Sequence, residues 1–553
     1  MNPAIWIAWP VLILHLAVCV VLAAYGVHRY QLVYLYYKYR RNRPVPAGRF
    51  ADLPRVTIQL PMFNERAVAE RIIEATCRID YPRDRLDIQV LDDSTDETVE
   101  IARRTVERLA AAGHPITFLH RDHRTGFKAG ALAEGLHFAR GEFVLIFDAD
   151  FLPPPDLLHR LIHFFTEPAV GAVQARWEHI NRDQSLLTKG QAVLLDGHFV
   201  IEHTARNRSG RFMSFNGTAG IWRRAAIEDA GGWHHDTLTE DLDLSYRAQM
   251  HGWKFVYLPE VTSPAELPPE MNAFKSQQHR WAKGGAQTCR KLLPRILRSR
   301  LPRKIKVEAF FHLTSCTSYF YIVMLTLLLF PVLFFKLTLL QHSLFGRVVF
   351  DASLFLIATC SASTFYIASQ REVFRTWADS VKYLPFLMAL GVGISFNNAR
   401  AALEGLLGHE SEFVRTPKFG VTAADTDARR RAAAEKRRSR ILQGCLELGM
   451  GFYLFACVLL CVSYGRITVG IPFLVLFMMG YLYVGTLTLA GQFRTAAAAE
   501  RPRSLEAVPA ASVRLIPGGD PVSPRPETVS PHDWPTVARV TPTPTLDPSR
   551  PRR

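Results

Sequence analysis

IQVLDDSTD at residues 88–96 and FVLIFDADF at residues 143–151 decide the fold. Each is an apolar run of strand length that ends in carboxylates: Asp92, Asp93 and Asp96 in the first, Asp148 and Asp150 in the second. Similar runs at 56–60, 116–120 and 170–175 predict further strands, and between them residues 67–78, 98–112 and 126–139 carry apolar side chains at helical spacing among charges. Alternation of this kind predicts an α/β domain with a doubly wound, mostly parallel sheet, whose ligands sit at the carboxyl ends of the strands. The aspartates stand where such a sheet opens its pocket.

Two carboxylates at i and i+2 beside a strand end can converge on one hard cation, and all-oxygen ligands favour Mg²⁺ or Mn²⁺. Taken singly, each motif also fits a helix cap or an Asp-rich turn. A third acidic cluster, Thr239, Glu240, Asp241, Leu242 and Asp243, precedes a helical pattern and has the same capping reading. Capping does not account for Gln277, Gln278, His279, Arg280 and Trp281 soon after it. On a helix, Gln277, Arg280 and Trp281 share one face, which combines a hydrogen-bonding amide, a cation and an aromatic plane. That face suits a diphosphate beside a pyranose, although a packed Trp with a surface Arg has the same spacing.

The rest of the chain is a membrane protein by composition. Of its 553 residues 48% are hydrophobic, 35 of them Phe, which excludes a disordered or fibrous chain. Apolar runs at 4–25, 313–335, 352–369, 448–464 and 467–489 approach the length that crosses a bilayer. Residues 383–407 pass from apolar to Asn397, Asn398, Arg400 and Glu404 and read as an interfacial helix. Basic residues after the first run and at 429–440 place both flanks in the cytosol by the positive-inside rule, so the α/β domain is expected to be cytosolic. A cleaved signal peptide is the competing reading of the first run, against which its length weighs. The expected layout is an anchor and basic segment at 1–50, the α/β domain at 51–300, a membrane bundle at 301–492 and a disordered Pro-rich tail at 493–553. The net charge of +16 suits the headgroups of a lipid bilayer. No zinc finger or helix-turn-helix pattern focuses it on nucleic acid. The eight cysteines form no CxxC pair, and neither a zinc site nor a disulfide framework is expected.

In order, DDSTD, DAD, TED and QQHRW resemble the D, DxD, TED, QxxRW signature of processive family 2 glycosyltransferases. Beyond them, IQLPMFNE (58–65), GFKAGAL (126–132), VQARW (173–177), FNGTAGIWR (215–223) and GWKFVYL (252–258) resemble the plant cellulose-synthase-like A and C proteins, mannan and glucan synthases. The resemblance implies a Rossmann-like GT-A domain that transfers a hexose with inversion from a nucleotide sugar to the growing end of a β-linked polysaccharide, with export through the spans. It implies that Asp92 and Asp93 hold the nucleotide, that Lys128 meets a phosphate, and that Asp148 and Asp150 carry a Mg²⁺ or Mn²⁺ ion on the diphosphate. Gln277 and Arg280 join the nucleotide's contacts. Asp241 is the implied general base, and Glu240, Trp281 with Gln277, and Phe215, Asn216, Gly217 and Thr218 line the acceptor site. UDP-glucose and GDP-mannose remain equally open as donors.

Residues 411–420, including Thr416 and Lys418, are similar in part to the gating loop of bacterial cellulose synthases, and a plain basic loop fits the segment as well. No cyclic-dinucleotide domain follows. The expected location is multi-pass, in a bacterial inner membrane. The competing function is a non-processive transferase that glycosylates a ceramide- or polyprenyl-phosphate-type lipid; a catalytically dead scaffold is disfavoured by the complete acidic set.

Overall fold

The computed structural model describes residues 3–339, 344–374, 376–409, 427–463, 471–500 and 536–537. The gating-like segment with Thr416 and Lys418, and most of the 493–553 tail, lie outside the described residues.

A seven-stranded sheet forms the α/β domain: β1 (Val56–Met62), β2 (Leu86–Asp92), β3 (Ile116–His120), β4 (Phe143–Ile146), β5 (Val170–His179), β6 (Gly220–Arg223) and β7 (Lys254–Ala265). Their order in the sheet is β3-β2-β1-β4-β6-β5-β7, parallel throughout except for β6, which runs against both neighbours. The order reverses beside β1, the place where open α/β sheets bind ligands, with Asp92 and Asp93 to one side and Asp148 and Asp150 to the other. Both faces are covered. Helices α2 (Ala69–Cys77) and α3 (Thr98–Ala111) pack with Val56, Ile58 and Leu145, while α4 (Phe127–Phe138) packs with Val144 and Ile146 on the opposite face. Burial on both sides is why these strands read as unbroken apolar runs instead of alternating ones.

Among the described residues four helices are long and apolar enough to cross a membrane: Ile7–Tyr39, Arg303–Phe335, Arg437–Ser463 and Ile471–Phe493. The chain is thus multi-pass. The expected run at 352–369 lies in a helix, Leu344–Val373, that is not among those four, and its side chains before residue 359 are outside the described set. The stretch read as one interfacial helix divides instead into Ala378–Gly393 and Ser395–Leu407, bent by 44° and together long enough to form a broken span. Its second part also docks on protein. Ala401, Ala402 and Gly405 bring its backbone against the helix Met271–Arg298, where a Cβ added at Gly405 would stand 2.5 Å from the Lys283 carbonyl. Small residues permit such close crossings.

Met271–Arg298 carries the QQHRW motif and joins the two halves of the molecule. Near its start, buried Lys275 places its ammonium 2.6 Å from Glu447 and 3.1 Å from the Thr488 hydroxyl, in the last two long helices. Removing one member of a buried ion pair leaves the other charge uncompensated, at a cost of about 3–5 kcal/mol. Lys275→Met should therefore lower the thermal unfolding temperature in detergent markedly, and Lys275→Met/Glu447→Met should regain much of the loss. Equal unfolding temperatures for the single and double variants would refute the pairing.

Candidate active site

The loop between β3 and α4 sets the position of Lys128. Gly126 (φ 73°) and Phe127 (φ 52°) both take left-handed backbone, which turns the chain into the helix. Arg121 braces this turn: it grips Asp93 with two hydrogen bonds of 2.7 and 2.6 Å and donates to the carbonyls of Thr125 and Phe127. Lys128 then projects its ammonium to within 2.6 Å of Asp148 Oδ1 and 3.7 Å of Glu240 Oε1, and donates to the Gly217 carbonyl at 2.9 Å. Burial disfavours the charge on Lys128, but Asp148, Glu240 and Asp241 outweigh it and hold the ammonium above its ordinary pKa. GFKAGAL, FDADF, FNGTAG and TED thus meet at one cation.

The FNGTAG loop is shaped for this approach. Gly217 (φ 74°) and Ala219 (φ 55°) are left-handed, and the Thr218 hydroxyl accepts from the Asp148 N–H at 2.9 Å. A Cβ at Gly217 would stand 2.9 Å from Asp241 Oδ2 and 3.2 Å from Lys128 Nζ. Fully buried Gln174 holds the loop from below, accepting from the Asn216 N–H and donating to the carbonyls of Thr218 and Ala219. Phe215 donates its N–H to Ser245 at 2.8 Å, on the helix that carries Asp241.

That helix, Glu240–Met250, begins with the acidic cluster. The capping expectation holds only for the charges: Thr239 makes no side-chain cap and instead meets the Thr288 hydroxyl at 3.2 Å. Burial, and next the charge of Glu240, push the Asp241 carboxyl up to about 7, against the pull of Lys128, the Leu242 N–H and Arg280. The QQHRW helix is fixed to this cluster. A Cβ on Gly284 would lie 2.6 Å from Thr239, and Gln287 accepts from the Leu238 N–H at 2.9 Å.

Asp241, Phe215, Asn216, Gln277 and Trp281 line one cavity of about 580 Å³, which continues between the membrane helices past Tyr25, Ile322 and Phe477. The rings of Trp281 and Trp177, the latter on β5, stand 6.5 Å apart in its wall. Such planes pack against the apolar faces of pyranoses.

Asp92 and Asp93 are not part of this cluster. The Asp92 carboxylate is fully buried, 2.7 Å from His120 Nδ1, and accepts from the Ser94 N–H. Asp93 is occupied by Arg121. The sequence alone assigns no role to His120, Arg121, Gln174 or Trp177. Asp148 and Asp150 flank buried Ala149 with half-exposed carboxylates just past β4, an oxygen-only pair that fits Mg²⁺ or Mn²⁺. Another acidic group, His234, Asp236 and Asp243, is filled by the ammonium of Lys291, 3.0, 2.7 and 3.0 Å from these residues.

A doubly wound sheet with paired aspartates at its switch point, opening onto membrane helices, defines a GT-A glycosyltransferase. Residues 54–284 match the family described as Glycosyltransferase like family 2. Glucomannan 4-beta-mannosyltransferase 7 of Arabidopsis thaliana is 36% identical over 80% of this chain and 79% of its own length. Glucomannan 4-beta-mannosyltransferase 1 of Oryza sativa subsp. japonica is 37% identical over 78% of this chain and 83% of its own. The chain belongs to glycosyltransferase family 2. A mannosyltransferase of Pyrobaculum calidifontis, solved with GDP-Man and Mn²⁺, shares the fold, with a TM-score of 0.50, 21% identity, and coverage of 72% of this chain and all of that one. These sequence relatives are plant enzymes, so the comparisons lend no support to the bacterial inner membrane expected from the sequence.

Gly217→Ala tests the cluster. The new methyl would take a strained φ and crowd Asp241 and Lys128. Sugar transfer should fall at least tenfold while the protein stays folded by thermal unfolding; wild-type turnover in this variant would contradict the geometry.

Proposed function

We propose that this enzyme transfers mannose from GDP-mannose, with inversion, to the growing end of a β-1,4-linked mannan or glucomannan, and that the chain leaves along the cavity into the membrane bundle. The observation that carries this reading is the continuity of the space beside Asp241 and Trp281 with the space between the spans. Trp177, Trp281, Asn216 and Gln277 give its wall the aromatic planes and amides that suit a neutral sugar chain. The activity named for the plant relatives, similar over most of both chains, supports the choice of mannose.

In the reaction, Asp241 takes the proton of the acceptor hydroxyl as its oxygen attacks C1 from the face opposite the departing nucleotide. A carboxyl poised at about 7 is matched to that work near neutral pH. Lys128 and Arg280 meet the charge that develops on the leaving diphosphate, and Trp281 with Gln277 holds the acceptor end in line. Asp148 and Asp150 would hold a divalent cation, Mn²⁺ or Mg²⁺, which supplies further neutralisation of the diphosphate. Asp92 and Asp93 act on the nucleotide end through His120 and Arg121. The domain faces the cytosol, where nucleotide sugars are made.

A base must be unprotonated to accept a proton, so kcat/KM should fall as pH drops through about 7. Because Glu240 raises this value, Glu240→Gln should move the acidic limb to lower pH; a limb that stays in place would remove Asp241 from the role. Asp241→Asn should abolish transfer and leave nucleotide binding largely intact. Donor profiling provides the substrate test: GDP-mannose should yield an insoluble or long β-1,4-linked product, lost with chelator and restored by Mn²⁺ or Mg²⁺. Exclusive use of UDP-glucose, or a single-sugar glycolipid product, would overturn this function.

A further inference from the structure

Beyond Asp241 and Trp281 the cavity wall carries a polar set that the transfer step does not use: His198, Glu202, Arg206 and His28. The first two come from Gly197–His203, a stretch of π-helix. Wide turns of this type are rare and are frequent at functional sites. Here Gly197 lies against Phe365 and Tyr366, where an added Cβ would stand 2.5 and 3.0 Å from their rings.

The hydrogen bonds run in one direction. Burial holds His203 neutral, far below the ordinary histidine value, and its Nε2–H meets Asn216 Oδ1 at 2.5 Å. Asn216 Nδ2 then donates to His198 Nε2 at 3.2 Å, which leaves the His198 Nδ1–H to donate to Glu202 at 3.0 Å. Arg206 reaches the same Glu202 oxygen at 3.3 Å and holds Glu308 with its Nε at 2.9 Å; Glu308 in turn lies 3.2 Å from His28 on the first membrane helix. Burial opposes the charge on Glu202, but Arg206 and His198 keep its carboxyl well below the usual range. The two glutamates differ in one respect. Glu308 is sealed, with 1% of its side chain exposed, whereas Glu202 keeps 24% and borders the cavity. Burying such a chain of charges costs several kcal/mol per ion before pairing, so packing alone gives no reason for it. What it achieves is a fixed, ionised carboxylate in the wall of an aromatic passage. Ionised acceptors make strong hydrogen bonds to hydroxyls, which a neutral sugar offers in pairs.

We propose that Glu202 is an acceptor-binding residue that takes hydroxyl hydrogen bonds from the neutral β-hexose chain as it moves past Trp281, with Arg206 and His198 as positioning residues. The assignment rests on the reading of the cavity as the path of the glycan. The test uses the full-length enzyme in detergent with GDP-mannose, and β-1,4-mannohexaose as acceptor. Glu202→Gln should raise the KM for the hexasaccharide about tenfold, while kcat and the acceptor-independent hydrolysis of GDP-mannose change less than twofold. Glu202→Asp keeps the charge that Arg206 needs but shortens the reach, and should raise the same KM, which covers failure of the Gln variant to fold. An unchanged KM in either folded variant overturns the assignment, as does an equal loss of hydrolysis and transfer, the signature of a merely structural role. A wild-type enzyme that hydrolyses donor but never extends the hexasaccharide overturns the glycan path itself, and the assignment with it.

Discussion

The ammonium of Lys128 is what allows three acidic motifs to share one pocket. Two like charges about 4 Å apart repel by about 4 kcal/mol at the effective dielectric of a protein surface, so Asp148, Glu240 and Asp241 would not gather without a cation among them. Lys128 forms ion pairs with Asp148 and Glu240 and reaches Asp241 through its field. Burial, and next the charge of Glu240, keep the proton affinity of Asp241 high against that field. The same cation that assembles the pocket leaves one carboxylate free for proton transfer.

The strands, the acidic strand ends and the Gln277, Arg280, Trp281 face were legible because each is a local pattern: an apolar run, a pair at i and i+2, a helical spacing. What surrounds them was not. Arg121 matters because β2 and β3 lie in register and bring it beside Asp93, and Gln174 because β5 runs beneath the FNGTAG loop. Arg121 stands in no run that marks it, and VQARW contains Gln174 without showing what it holds. Gly284 follows the QQHRW motif, but its purpose, admitting Thr239, requires knowing which segment crosses there. The nucleotide roles of Asp92 and Asp93 rest on likeness, and what the sequence does not show is that the two carboxylates pair with His120 and Arg121.

The membrane half was harder to read for a related reason. Hydropathy measures how apolar a segment is, not what it leans on. Residues 383–407 look like a surface helix because Asn397, Asn398 and Glu404 interrupt the apolar pattern. In the fold those groups are satisfied by protein: Asn397 donates to the Lys275 carbonyl, and Glu404 meets Lys283 and His279 of the QQHRW helix.

That helix is a single rod with its root clamped between the last two long helices by Lys275 and its shaft wedged against Thr239 by Gly284. The aromatic and cationic side chains lie between the clamp and the wedge, so that face cannot shift by itself. A tilt of those two helices would be passed along the rod to Gln277, Arg280 and Trp281 and onward to Thr239.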